Sequence, residues 1–406
     1  MAVWIIEPRD PLIVRDARPF GNIAGTRATS LDFPFPSTTT GGARTRAGLV
    51  DGIFDKVLID SVKQISVRGP LLAELGEDGE IKGLLFTSPA DALLLKPDHA
   101  PTPGIGDADD EDRAQLIRLY PLDPNPGLTN ISDVGQNLMP LGSASPSKGK
   151  PHEGAPRYWH WSVLRDWLLS PEAEKPVSLR ELGHDGPLKE TRTHVRIQRG
   201  TQTAEDSALF QTSGLEFHRA ELTARGGGLG GGKRLALVVE VDENGRGQNI
   251  EEGLAPFGGE RRLVMWRKSA ASLPTCPAEL RRQIAQDRHC RLLLLTPACF
   301  GQGVIPQWLT EELGGVRPEL KALASGRMKV VSGWDFARGK SGEPKPTRRL
   351  VPAGAVIFLK LKGEGDIGRW VEETWMSCVS DEVIDRADGF GLAVLGTWDG
   401  GNLRME

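Results

Sequence analysis

Nine consecutive residues, Thr191-Arg192-Thr193-His194-Val195-Arg196-Ile197-Gln198-Arg199, alternate with a period of two. That period belongs to a β-strand, because successive side chains of a strand point to opposite faces. Arg192, His194, Arg196 and Gln198 share one face; Thr193, Val195 and Ile197 share the other. A second extended run, Ala208–Phe217, follows. The two together predict a projecting hairpin within residues 190–220 that carries a basic stripe. Guanidinium forks on such a stripe suit phosphate oxygens and can stack on bases. A solvated charged face has the same spacing, so pattern alone leaves both readings open.

The rest of the 406-residue chain bounds that reading. Its formal charge is −4, so any nucleic-acid contact must use local basic stripes and not a whole-molecule field. No apolar run reaches the ~20 residues of a membrane span. Residues 3–7 read as a first strand without a basic n-region, the expectation for a cytoplasmic protein. The four cysteines, Cys276, Cys290, Cys299 and Cys378, form no C-x-x-C pair, and reduced thiols are expected. No metal or cofactor is implied.

Pro8–Phe20 is too proline-rich for a central strand and is expected to be an extended loop carrying Arg9, Arg15 and Arg18. A helix after Pro36, capped by Ser37 or a following threonine, would bury Ala43, Ala47, Val50 and Phe54. Arg44 and Arg46 would fall off that face near a helix start, where backbone N–H groups favour phosphate. Strands are expected at 62–69, 81–86, 234–241, 261–267, 291–297 and 355–361, with a last one entered through Gly389-Phe390-Gly391. Helices are expected at 162–170, burying Leu164, Trp167 and Leu168, and at 277–287 and 366–379. The segment 97–156, rich in Pro and Gly with an acidic run at Asp107–Asp112, reads as a peripheral, mobile insertion. This mixture fits an α+β class with two sandwiches better than one doubly wound sheet.

Two nucleotide motifs are near misses. Gly227–Arg234 approaches a Walker A loop, but Arg234 stands where a Ser or Thr hydroxyl must hold the metal, and the glycines precede a strand. A flexible linker at 226–232 is the better reading. Gly363-Glu364-Gly365-Asp366-Ile367-Gly368 matches G-x-G-x-x-G, yet two acids sit where a pyrophosphate should. A tight turn before an acidic helix start is favoured. The seven histidines are scattered, with no H-E-x-x-H. His194 and His218 are the suggestive general acid–base candidates, and neither has an evident nucleophile beside it. Gly258-Gly259-Glu260-Arg261-Arg262 offers close backbone approach beside two arginines.

These same stretches carry a family resemblance. Glu7-Pro8-Arg9-Asp10-Pro11-Leu12 through Arg15-Asp16-Ala17-Arg18-Pro19-Phe20 resembles the opening of the third subunit of the Cmr complex, the type III-B CRISPR effector, a member of the RAMP superfamily. Gly41–Arg46, His194–Ile197, Thr203–Glu205, Leu209-Phe210, Gly258–Arg262, Gly333–Asp335, Val351–Gly354 and Gly389–Gly391 match in the same order. The resemblance implies two ferredoxin-like (RRM-like) RAMP domains, expected at 1–245 and 246–406, with glycine-rich loops and a β-hairpin thumb at about 190–220. It implies a non-catalytic CRISPR RNA-binding subunit that grips the 5′ repeat-derived tag and caps the base of the backbone filament. The partners implied are the CRISPR RNA, the large polymerase-like Cmr subunit and the first backbone RAMP subunit. Expected RNA-contacting residues are Arg15, Arg18, Arg44, Arg46, Arg192, His194, Arg196 and Arg199, with Gly258, Gly259, Arg261, Arg262, Gly389 and Gly391. The competing classes are a RAMP-type endoribonuclease processing precursor CRISPR RNA, and an assembly subunit without RNA contact.

Overall fold

The computed structural model describes residues 1–15, 27, 28, 30–97, 112–123, 138–144, 149–222, 229–242, 250–335 and 342–404. Among the described residues the helices are short and the sheets mostly antiparallel, an α+β arrangement. The chain divides into two compact units, each assembled from three segments. One comprises Met1–Lys82, Gly186–Ser272 and Val330–Arg349; the other comprises Gly83–Asp185, Leu273–Lys329 and Leu350–Glu406. The units therefore interleave along the chain, unlike the single division near residue 245 expected from the sequence. Sheet pairing accounts for this, because sequence-distant strands are neighbours.

In the first unit, strand β1 (Ala2–Pro8) lies between Leu229–Val241 and Arg262–Ser269, antiparallel to both. Val67–Leu75 and Gly253–Phe257 extend the sheet on either side. β1 is buried from Val3 to Pro8, which is why its apolar run is continuous instead of alternating. Its one acid, Glu7, is fully buried and is paired with Arg234 and, at 3.5 Å each, with Arg9 and Arg267. Arg234, the residue that spoils the Walker A pattern, thus has a structural task. Residues 229–232, expected to lie in a flexible linker, belong instead to the strand Leu229–Val241, with Leu222 opposite Leu229. The linker expectation is corrected for those residues, since sheet pairing fixes a backbone that composition leaves free; 226–228 lie outside the described residues.

Helix α1 (Pro36–Ala47) packs against Val67–Leu75. It is shorter than the spacing predicts. Gly48 closes it, donating to the carbonyls of Arg44 and Thr45. Leu49–Val50 then pairs with Ile53–Phe54 around Asp51-Gly52, both at positive φ. Asp-Gly is the sequence of a tight hairpin turn, and Val50 is exposed instead of buried. Phe35, not Ser37 or a threonine, occupies the N-cap position, and Pro36 begins the helix.

In the second unit, Arg317–Ala324, Val356–Lys362, His289–Leu294, Leu392–Thr397 and Ser377–Cys378 form a five-stranded antiparallel sheet in that order. Helices Ala278–Asp287 and Ile367–Thr374 pack on each other and on Leu392–Thr397. Trp161–Leu169 is helical and buries Leu164, Trp167 and Leu168, as its apolar spacing predicts. The expected insertion at 97–156 is corrected in part. Arg113–Asp123 is a central strand that pairs with Ala92–Leu95, Leu141–Ser143, Glu174–Ser178 and Leu403–Arg404. Ala114, Leu116 and Ile117 enter the core, so a strand alternation is hidden among the prolines and glycines. Asp112, the end of the acidic run, accepts hydrogen bonds from Ser178 Oγ at 2.6 Å and Arg180 N at 3.0 Å. The G-x-G-x-x-G stretch is a turn. A Cβ on Gly365 would lie 2.1 Å from the Gly314 carbonyl oxygen, and Asp366 caps the following helix by accepting from Arg369 N. No described helix is long and apolar enough to cross a membrane.

Candidate nucleic-acid interface

The hairpin expected at 190–220 is present. Leu188–Ile197 and Ala204–Glu216 pair antiparallel from Leu188 opposite Glu216 to Val195 opposite Leu209, and a bulge precedes the tip. Most of Leu188–Ile197 is exposed on both faces; Leu188, Val195, Ile197 and Leu209 are all open to solvent. Arg27–Ala28 adds a short parallel strand beside Gln211 and Thr212, and a ribbon with so little burial is held by its base.

That base is tied to the first unit by the segment Leu12–Arg15. Leu12 and Leu215 exchange backbone hydrogen bonds of 2.9 and 2.8 Å. Gly259 N donates to the Ile13 carbonyl at 2.6 Å, and Leu31 N to the Val14 carbonyl at 2.7 Å. Ser30 N donates to Ser213 Oγ at 3.0 Å, while Ser30 bridges Arg15 on its other side. Leu12, Ile13 and Val14 are buried and Arg15 is exposed. Residues 16–20 lie outside the described residues; the described part of the expected loop, up to Arg15, is therefore an extended, anchored strap. It brings Arg15, the hairpin and the turn Gly258–Arg262 into one arrangement. Gly258 is required there: its φ is +68°, and a Cβ would lie 2.8 Å from the Ile13 carbonyl oxygen. Glu260 and Arg261 also take positive φ, which turns the chain sharply and leaves Arg261 exposed.

Charge on the hairpin is balanced in a way that a stripe of arginines conceals. Lys189, Arg192, Arg196 and Arg199 are matched in number by Glu190, Glu205, Asp206 and Glu216. Arg192 Nε lies 2.7 Å from Glu190, and Arg196 lies 3.5 Å from Glu205. The hydrogen bond from Arg192 and the charge of Glu190 raise the guanidinium pKa above its ordinary value. Exposed pairs of this kind are screened by solvent and contribute little to stability, so a phosphate can replace either carboxylate at small cost. Arg199, at the exposed tip, has no ionic partner among the described residues. His194 Nε2 lies 2.8 Å from Thr212 Oγ1, and its ring stacks on Phe210 at 5.2 Å and 17°. His218 Nδ1 stands 3.8 Å from Glu216.

Other expected contacts have different surroundings. Arg44 and Arg46 are in the last turn of α1, not near its start, so the dipole argument does not apply. Arg44 donates twice to the Ile65 carbonyl, at 3.1 and 2.9 Å. Arg46 is buried and binds the carbonyls of Glu251, Glu252 and Leu254. Burial lowers its guanidinium pKa, and the charge of Glu251 partly offsets this. Arg46 is a clamp between helix and strand. Arg262 is half-buried and bonds Glu260 at 3.1 Å. Gly389 and Gly391, in the second unit, are buried: the Gly389 carbonyl accepts from Thr296 Oγ1, and a Cβ on Gly391 would meet Ser380 N at 2.8 Å. They shape a core turn and present no surface. Arg18 lies outside the described residues. Among the described residues, no group of three His, Cys, Asp or Glu is placed to hold a metal ion.

The family model for CRISPR-associated protein (Cas_Cmr3) matches residues 4–398. The chain belongs to the Cas_Cmr3 family. The match spans every motif on which the resemblance rested, from the opening strand to Trp398. No curated protein sequence matches the chain. Among solved structures, it is similar to a chain of the cryo-EM structure of type III-B Cmr-beta bound to cognate target RNA and AMPPnP. Identity is 15%, with 88% of this chain and 86% of that one covered and a TM-score of 0.45. A chain of Cmr-beta bound to cognate target RNA gives the same identity and coverage, with a TM-score of 0.43.

Proposed function

We propose that this Cas_Cmr3 family member is a non-catalytic CRISPR RNA-binding subunit of a type III-B effector, working in the cytoplasm. It grips the 5′ repeat-derived tag of the guide and caps the base of the backbone filament. In this reading its two units are RAMP domains of ferredoxin-like type, and the hairpin 188–216 is the thumb. Its protein neighbours are the large polymerase-like subunit and the first backbone RAMP subunit.

The observation that carries the reading is the strap. Leu12–Arg15 joins the turn Gly258–Arg262 to the base of an exposed, arginine-bearing hairpin by direct backbone hydrogen bonds. A surface of that build holds a strand by its phosphates while Arg15, Arg192, Arg196, Arg199 and Arg261 adjust to it. His194 contributes contact instead of acid–base chemistry: its Nε2 is engaged by Thr212 and its ring by Phe210. The test is retention of guide RNA by the assembled complex after Arg192, Arg196 and Arg199 are replaced by Ala. A precursor-cleavage assay without metal, on wild type and on His194→Ala, separates binding from the endoribonuclease alternative.

A further inference from the structure

The second unit carries a cationic face that the hairpin reading does not use. Arg317–Ala324 ends the five-stranded sheet and pairs antiparallel with Val356–Lys362, with Arg317 opposite Lys362 and Glu319 opposite Lys360. Pro318, Leu320 and Ala322 are buried, so the alternate residues Arg317, Glu319 and Lys321 lie on the other face. Lys360 and Lys362 alternate in the same way with the buried Leu359 and Leu361. Four cations thus share a surface with one acid. Glu319 lies 3.1 Å from Lys321 and 3.0 Å from Lys362 and pairs with both ammonium groups at the surface. Partial burial opposes its charge, but the two lysines outweigh this and hold its carboxyl below the ordinary pKa. Arg317 and Lys360 have no ionic partner among the described residues. A cavity of about 690 Å³ opens here, lined by Thr310, Arg317, Glu319, Lys321 and Lys362.

We infer that this face binds consecutive phosphates of single-stranded RNA, independently of base sequence. From Arg317 to Lys321 the strand advances ~13 Å, enough to meet more than one phosphate of an extended strand. Lysine supplies compact, mobile point charges that follow a backbone. Among the described residues the lining has no aromatic side chain on which a base could stack, so sequence readout is not built in. In a chain of net charge −4, four cations against one acid on these two strands are a local excess. The inference rests on the proposed function, because it assigns the same ligand class a second contact surface.

The test uses the purified full-length chain and fluorescence anisotropy with labelled single-stranded RNA of two unrelated sequences, over a salt series. The variant Arg317→Ala/Lys321→Ala/Lys362→Ala should reduce the log–log salt slope by about 2, equally for both sequences. Glu319→Gln should act in the opposite direction and tighten binding, which a damaged fold could not produce. The hairpin variant Arg192→Ala/Arg196→Ala/Arg199→Ala serves as the reference. If that variant lowers the slope and the strand variant does not, the inference is overturned and the proposed function stands. If wild type fails to bind RNA, the inference is overturned, while the proposed function is decided by guide-RNA retention in the assembled complex. AMP and inorganic phosphate are added as competitors; an RNA strand should compete far better than either at equal phosphate. Equal competition by AMP would mark a mononucleotide pocket and overturn the strand reading.

Discussion

Asp91 has no exposed surface, and its carboxylate is held by the Arg291 guanidinium and by Trp167 Nε1 at 3.2 Å. Arg291, 2% exposed, also donates to the Trp167 and Thr397 carbonyls at 2.8 and 2.9 Å. Removing one partner leaves the other charged and buried, so Asp91→Ala should cost about 3–5 kcal/mol. Against a typical total of about 5–15 kcal/mol, urea unfolding should show a large fall in midpoint. A second prediction concerns Cys276, whose thiol burial pushes up to about 11, with the charge of Arg281 acting in the opposite direction. Because the thiolate is the reactive form, iodoacetamide should modify Cys276 slowly at about pH 8 and progressively faster as pH approaches that value. Peptide mass spectrometry of the folded protein would follow it, and modification at the rate of a free thiol would contradict the burial. At this scale the sequence identifies charges but not their partners. Arg44 and Arg46 look like phosphate ligands until Ile65 and Glu251 present their carbonyls, from positions 21 and 205 residues away. The pairing of Glu7 with Arg234 is equally long-range.

Elements with a clean local signal are legible in the sequence. Trp161–Leu169 and Ala278–Asp287 follow from apolar spacing, and the hairpin from its period of two. Expectation and structure part where two patterns overlap. The apolar residues after α1 continue its spacing, yet Gly48 and Asp51-Gly52 redirect the chain into a hairpin. Prolines and glycines around Arg113–Asp123 mask a central strand. The glycine motif at 363–368 is a turn, as its two acids suggest, and it yields a prediction. Gly365→Ala places a Cβ against the Gly314 carbonyl and should cost about 1–3 kcal/mol by overpacking. Asp366→Ala removes the helix cap and should cost about 1 kcal/mol. Thermal unfolding would rank the two. The cationic face at 317–321 and 360–362 is not legible in the sequence, although Arg-Pro-Glu-Leu-Lys and Lys-Leu-Lys both alternate with period two. Without knowing that these strands are neighbours, each reads as an ordinary half-buried strand.

For the whole molecule, a net charge of −4 requires that any grip on RNA be local. The hairpin meets that requirement at little structural risk: Arg192, Arg196 and Arg199 are exposed, and the ion pairs of the first two are solvent-screened. Their replacement should leave the unfolding temperature nearly unchanged. Repeat RNA incubated with the purified chain should remain intact; cleavage abolished by His194→Ala would favour the processing enzyme instead. The family is recognisable from the order of short motifs, whereas the interleaved units are not, because β1 finds its neighbours more than 200 residues away. In the proposed function the anchored hairpin holds the guide by its phosphates. Its most direct test is the salt dependence of guide-RNA affinity in the assembled complex, wild type against Arg192→Ala/Arg196→Ala/Arg199→Ala, with assembly checked separately. Three lost phosphate contacts should lower the log–log slope by about 2. An unchanged affinity and slope would show that the hairpin's basic residues are only a solvated face.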